Sequence, residues 1–227
     1  MKLIINTWYY FIIIFCFLFC ETKPLSAETS EKEITKDILK EGLENFQKPY
    51  GSWTVKNKQL ILETEQPHRK RRNIWIKGEY QDFILELDFK LAKGANSGVF
   101  MRTVDIDDPV QTGIEVQIRD DHGKSPIDKK FCGSIYDIKE VSENRVKKSG
   151  KWNRLKIICE GKSITVYLNK GKVIDIDLSD WKEAGKNPDG TKNKYKTAYK
   201  DMAEIGKIGF QDHGGKVWYR NICIKEL

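Results

Sequence analysis

Residues 94–121 read GANSGVFMRTVDIDDPVQTGIEVQIRDD. A β-strand sends alternate side chains to opposite faces. On that alternation Ile114, Val116 and Ile118 point one way, while Glu115, Gln117 and Arg119 point the other. Upstream, Val99 and Met101 share a face, and Asn96, Phe100 and Arg102 share the opposite one. A later stretch, IGKIGFQDHGG (residues 205–215), repeats the device, with Ile208 and Phe210 on one side and Gln211 and His213 on the other. Each stretch pairs an apolar face with a face able to bind hydroxyls or move protons. The expectation is a site laid across a β-sheet.

Working outward, DFILELDFKL (82–91) sets Phe83, Leu85, Leu87 and Phe89 against Glu86, Asp88 and Lys90, the alternation of a half-buried strand. WNRLKIICE and SITVYLN, joined at Gly161-Lys162, form a hairpin, and Lys170-Gly171-Lys172 turns into VIDIDL. Shorter strands are expected at 52–55, 59–64, 74–76, 133–138 and 216–226. Asp105 to Gln111 and Asp121 to Lys130 are loops. Lys182 to Asp201 lacks periodicity and is expected to be an exposed loop. Many short strands with few helical patterns indicate an antiparallel β-sandwich. No phosphate loop, dinucleotide fingerprint or nucleophile elbow is present.

The chain has 227 residues and a formal net charge of +7, with both signs intermixed. That balance favours solubility and gives no ground for a nucleic-acid partner. Lys2 followed by the apolar run Trp8–Cys20 reads as a secretory signal over residues 1–27, with export to the periplasm or beyond. Lipid attachment at Cys20 and an uncleaved anchor are the alternatives, so membrane association is expected only through this segment. Residues 28–45 read as a short helix or a loose leader, and 46–227 as one domain. The cysteines outside the signal, Cys132, Cys159 and Cys223, are too few for a disulfide framework; Cys159 and Cys223 read as buried apolar filler, with a single bridge between them as the alternative.

The segments YQDFILELDFKL, NSGVFMR, GIEVQIRD, GSIYDI, GKWNRLKIICEGKSITVYLNKGKVI and IGFQDHGGKVWYRNICIKEL occur in that order. Together they resemble the 3-keto-disaccharide hydrolase family over residues 46–227. The resemblance implies an all-β jelly-roll sandwich of the concanavalin A-like, laminin-G-like kind. It also implies cleavage of glycosides whose sugar carries a ketone at C3. The basic run His68–Arg72, the turn Asn169-Lys170-Gly171 and the long 182–201 segment depart from the family pattern.

A C3 ketone acidifies the C2 hydrogen. A base that removes it generates an enolate able to expel the group on C1, and water then adds to the enone. This route needs a placed base, a stabiliser for the enolate oxygen and an acid, and not the paired carboxylates of an ordinary glycosidase. Glu115 and His213 are the candidates for proton transfer. Asn96, Arg102, Gln117, Asp120, Tyr136 and Gln211 are the candidates for holding the sugar. No metal ligands are assigned; the one cofactor the residues suggest is a divalent cation near Glu115 and Asp120, as an alternative oxyanion partner. Trp53, Trp152 and Trp218 read as packing, whereas Trp75, beside the basic loop, can face a sugar. The competing reading is a lectin-like carbohydrate-binding module on the same sandwich, without chemistry.

Overall fold

The alternation in residues 83–91 becomes a strand whose every second side chain is buried, with Phe83, Leu85, Leu87, Phe89 and Leu91 against the core. The computed structural model describes residues 35–63 and 72–227. The expected signal segment, the start of the leader and most of the basic run lie outside the described residues. Among the described residues there are twelve strands: β1 (Thr35–Asp37), β2 (Trp53–Lys56), β3 (Gln59–Leu62), β4 (Ile74–Trp75), β5 (Phe83–Leu91), β6 (Asn96–Thr103), β7 (Ile114–Arg119), β8 (Trp152–Glu160), β9 (Ser163–Leu168), β10 (Gly171–Asp177), β11 (Lys207–Phe210) and β12 (Val217–Glu226). One α-helical turn, α1 (Pro109–Thr112), interrupts the expected loop between β6 and β7.

The strands form an eight-stranded sheet, β10-β9-β8-β5-β12-β3-β2 with β1 added on β12, and a four-stranded sheet, β4-β11-β6-β7. All named pairings are antiparallel. The sheets bury their facing apolar sides on each other, with Leu85, Leu87, Leu155 and Ile157 from the larger and Val99, Ile114, Val116 and Phe210 from the smaller. This is the expected jelly-roll β-sandwich. Fully burying a Leu, Val or Phe side chain contributes roughly 1.5–3 kcal/mol, so this shared core holds the pair of sheets together.

Several local expectations are corrected. Residues 35–45 are neither helix nor loose leader: β1 pairs with β12, a 3-10 turn follows at Gly42–Asn45, and Ile38 is fully buried. Residues 133–138 make isolated bridges, Val116 to Ile135 and Ile135 to Lys139, instead of a strand. Cys132, Cys159 and Cys223 are free thiols; Cys159 is buried filler as expected, its Sγ 3.4 Å from Met101 Sδ, whereas Cys223 is only half-buried.

The largest correction concerns Lys182–Asp201. Asn187, Tyr195, Ala198 and Tyr199 are all buried. The segment is tied down by Asn187 Nδ2 donating to Asp137 O, by the Tyr195 hydroxyl donating to Tyr136 O, and by Gln111 bonding both Lys194 O and Lys196 N. Tyr195 and Tyr199 meet edge to face with centroids 4.8 Å apart. Its apolar residues follow no strand or helix period because the segment packs as an irregular coil.

Candidate functional site

The outer face of the four-stranded sheet carries the candidate site. Register places Trp75 of β4, Gly209 of β11, Phe100 of β6 and Glu115 of β7 in one row. In the next row Gln211 donates its backbone N–H to Gly98 O at 2.9 Å, and Gly98 is opposite Gln117. Asn96 and Arg119 are paired in the row beyond. The alternation that places Val99 and Val116 in the core therefore sends Asn96, Glu115 and Gln117 outward together.

Two glycines shape this face by lacking a side chain. A Cβ at Gly98 would sit 2.3 Å from Glu115 Oε1, so the bare backbone lets the carboxyl lie across β6. A Cβ at Gly209 would sit 2.3 Å from the Trp75 ring, which lies over that strand. Trp75 also stacks on Phe100, with centroids 5.9 Å apart and planes at 27°. Sequence alone assigned Trp53 to packing, and it contacts Phe210 and Tyr219 in the core.

Although this is an outer face, its polar groups are covered. Glu115 is 4% exposed and Gln117 2% exposed. Burial pushes the Glu115 carboxyl up to about 7, while the charge of Lys194 and a side-chain hydrogen bond with Gln211 pull it down. The amide oxygens of Asn96, Gln117 and Gln211 are buried and accept no hydrogen bond among the described residues. An unsatisfied buried acceptor costs about 1–3 kcal/mol, so this face holds an unmet demand for donors.

The main chain around Gln211 is fixed from below. Ser97 Oγ donates to Gln211 O at 2.6 Å and also meets the Tyr219 hydroxyl at 2.9 Å, linking the site strand to the other sheet. Just beyond, Asp212 N donates to Asn73 Oδ1, and Arg72 N donates to Asp212 Oδ2. At the far edge, Tyr136 N donates to Glu115 O, which seats Tyr136 beside the carboxylate strand. Lys194 Nζ lies 4.0 Å from the centre of the Tyr136 ring.

The structure thus groups Asn96, Glu115, Gln117, Tyr136 and Gln211. Arg102 is elsewhere. Between the pairs Thr103–Lys207 and Phe100–Gly209, β6 has Met101 and Arg102 where β11 has only Ile208. Arg102 takes φ 50° at this bulge. Its buried guanidinium turns away to Gln81 O, Gly161 O and the Asp82 carboxylate, so it ties loops together at the sandwich edge. Asp120 is also turned aside: its Oδ2 accepts the Gly94 N–H at 2.9 Å, which leaves it as a loop cap beside Ala95. Among the described residues no group of three or more His, Cys, Asp and Glu is arranged to hold a metal. His213 stands exposed in the loop after β11, two residues past Gln211.

Arg119 and Lys194 were missed as site residues. Arg119 was legible by parity. It is held on the face by fully buried Asp121, whose carboxylate accepts from Arg119 Nε at 2.7 and 2.9 Å. Lys194 carried no sequence signal, because the segment bearing it has no regular period. A cleft of about 370 Å³ opens beside Trp75, lined among others by Arg72, Asn73, Ile106 and Asp107.

A family model described as the 3-keto-alpha-glucoside-1,2-lyase-like domain matches residues 39–225. The chain belongs to this family. The 3-keto-disaccharide hydrolase of Bacteroides thetaiotaomicron is 26% identical over 66% of this chain. The match spans 60% of that relative's length. Among solved structures, a candidate glycosyl hydrolase of Parabacteroides distasonis is 35% identical, with TM-score 0.78, covering 86% of this chain and all of that one. A second from the same organism is 26% identical, with TM-score 0.63, covering 78% of this chain and 84% of that one. Membership of the 3-keto-alpha-glucoside-1,2-lyase-like family agrees with the resemblance read from the six ordered segments.

Proposed function

We propose that this protein cleaves the glycosidic bond of 3-keto-glycosides, with Glu115 as the base that removes the C2 proton. One observation carries the reading: a buried carboxyl poised near pH 7 beside three amide oxygens that lack donors. A base with its pKa near the working pH is best placed to accept a proton and return it. Sugar hydroxyls are the donors that Asn96, Gln117 and Gln211 lack. The name of the Bacteroides relative and the lyase in the family description support the substrate and the eliminative route.

Glu115 takes the C2 proton, and the C–H electron pair forms the enolate of the C3 ketone. The enolate reforms the ketone as the C1–O bond breaks, and the leaving oxygen takes up a proton. Water adding across the resulting enone completes a net hydrolysis. His213 is a donor to the leaving group only if its exposed loop closes over the sugar. The cleft beside Trp75, at the other end of the row from Glu115, offers room for the leaving group. Export through the N-terminal segment is part of the proposal and rests on Lys2 and the Trp8–Cys20 run.

The test is incubation with a 3-keto-glucoside and its unoxidised parent in heavy water. Cleavage of the keto-sugar alone, with deuterium appearing at C2, is expected. Cleavage of both sugars would overturn the eliminative route. Tight binding of a broad panel of keto-sugars without turnover would move the protein to the lectin-like reading.

A further inference from the structure

The 182–201 segment brings a cation to the site. Lys194 is fixed through its backbone: its N–H donates to Asp137 Oδ2 at 2.9 Å, and its carbonyl accepts from Gln111 Nε2 at 3.2 Å. The flanking Tyr195 hydroxyl anchors to Tyr136 O at 2.8 Å. The side chain is left to do something else. Its ammonium lies over the Tyr136 ring, and among the described residues it reaches no carboxylate at ion-pair distance and donates to no oxygen. Lys194 is exposed at the rim of the site, over the ring of Tyr136, whose backbone N–H bonds Glu115 O, so its three N–H donors are open to a ligand that displaces water.

We propose that Lys194 is the electrophile of this site: its ammonium binds the C3 carbonyl oxygen and takes up the negative charge that develops there as Glu115 removes the C2 proton. The inference rests on the eliminative reading of the site. The C2 proton moves to Glu115, the C–H electron pair becomes the C2–C3 double bond, and the carbonyl pair moves to the oxygen facing Lys194. A preplaced donor aimed at developing charge contributes more than one recruited from water, because it needs no reorganisation. The charge of Lys194 acts on Glu115, and desolvation pulls the Lys194 ammonium down from its usual range. The other titratable groups that feel Glu115 are Tyr195 and Tyr199 from the same segment and Tyr219 from β12. Asp137 and Lys130 act on Lys194 itself.

The experiment compares Lys194→Met, Lys194→Arg and Glu115→Gln for turnover of a 3-keto-glucoside across pH. Lys194→Met should lose about 10²–10³-fold in kcat, the range for removing one oxyanion donor. Lys194→Arg should recover part of that loss. In Lys194→Met the acid limb of kcat/KM should also move to higher pH, because the carboxyl loses the cation that holds it down. A residue that only holds the loop would not move that limb. The anchors are backbone groups, so the variants should fold; an unchanged melting temperature checks this, and Lys194→Gln replaces Met if it drops. Loss of turnover in Glu115→Gln with near-normal turnover in Lys194→Met would overturn this proposal and leave the base assignment standing. Full turnover in both would overturn the two together.

Discussion

The sandwich has two outer faces built by one alternation rule, and they treat polar side chains in opposite ways. On the eight-stranded sheet, Glu86, Asp88, Arg154 and Arg220 pair with one another at 2.6–3.3 Å and keep partial contact with solvent. Lys90 lies over both Trp152 and Trp218, at 4.9 and 4.3 Å from the ring centres. Charges there are matched within the protein. On the four-stranded sheet, Glu115 and Gln117 are buried, and the amide oxygens of Asn96, Gln117 and Gln211 are left without donors. A solvated sheet face cancels its own charges, whereas a binding face leaves demand for a ligand to meet. The difference marks the site more sharply than residue type does.

That contrast can be broken by experiment, beginning with Glu115. Glu115→Gln should lower turnover on a 3-keto-glucoside by about 10²–10⁴, the worth of a general base. Steady-state kinetics that show near-wild-type turnover would remove Glu115 as the base. Gly98→Ala should also impair turnover, because the added methyl occupies the space of Glu115 Oε1. Its backbone is compatible with alanine, so unfolding curves should change little while kinetics change strongly.

The packing of the covering segment comes next in size. Tyr199 is fully enclosed, and truncating a buried aromatic costs about 3–5 kcal/mol. Chemical denaturation of Tyr199→Ala should show a loss of that order. An unchanged midpoint would mean that the segment is the dispensable loop that its lack of periodicity suggests.

A smaller effect should appear in stability against pH. The Glu115 carboxyl sits near 7 when folded, against an ordinary 4.5. Below pH 4.5 it is protonated in both states and contributes nothing. Between 4.5 and 7 the unfolded chain releases its proton while the folded one keeps it, so stability falls as pH rises. Above 7 the full penalty remains, about 3 kcal/mol as an upper figure. Glu115→Gln should therefore be more stable than the parent at pH 8 and equal to it at pH 4, by thermal unfolding. The smallest effect belongs to the opposite face. Glu86→Gln weakens a half-exposed pair with Arg154 and should cost no more than about 1 kcal/mol, with turnover unchanged.

Strand alternation made much of this legible. It placed Phe83, Leu85, Leu87 and Phe89 in the core and Asn96, Glu115, Gln117 and Gln211 on one face, because regular strands carry their geometry in the sequence. It failed at Arg102, where a bulge with positive φ reverses the side chain and no residue type announces the extra position. Asp120 was chosen by residue type and not by alternation: it lies past the strand end at Arg119, and its carboxylate caps a loop amide. Lys194 was invisible for a different reason. Irregular segments pack through individual anchors such as Asn187 and Tyr195, and those contacts have no period to read.

One hydroxyl has a consequence for anyone altering the interior of this protein. Ser97 touches the Gln211 carbonyl on one side and Tyr219 of the opposite sheet on the other. The spacing between the two sheets is thereby conveyed to the strand that presents Gln211 to Glu115. A redesigned interior that melts at a higher temperature can still shift that strand by a fraction of an ångström. Stabilised variants of this sandwich are therefore best ranked by turnover at a fixed temperature, with melting point as the secondary criterion.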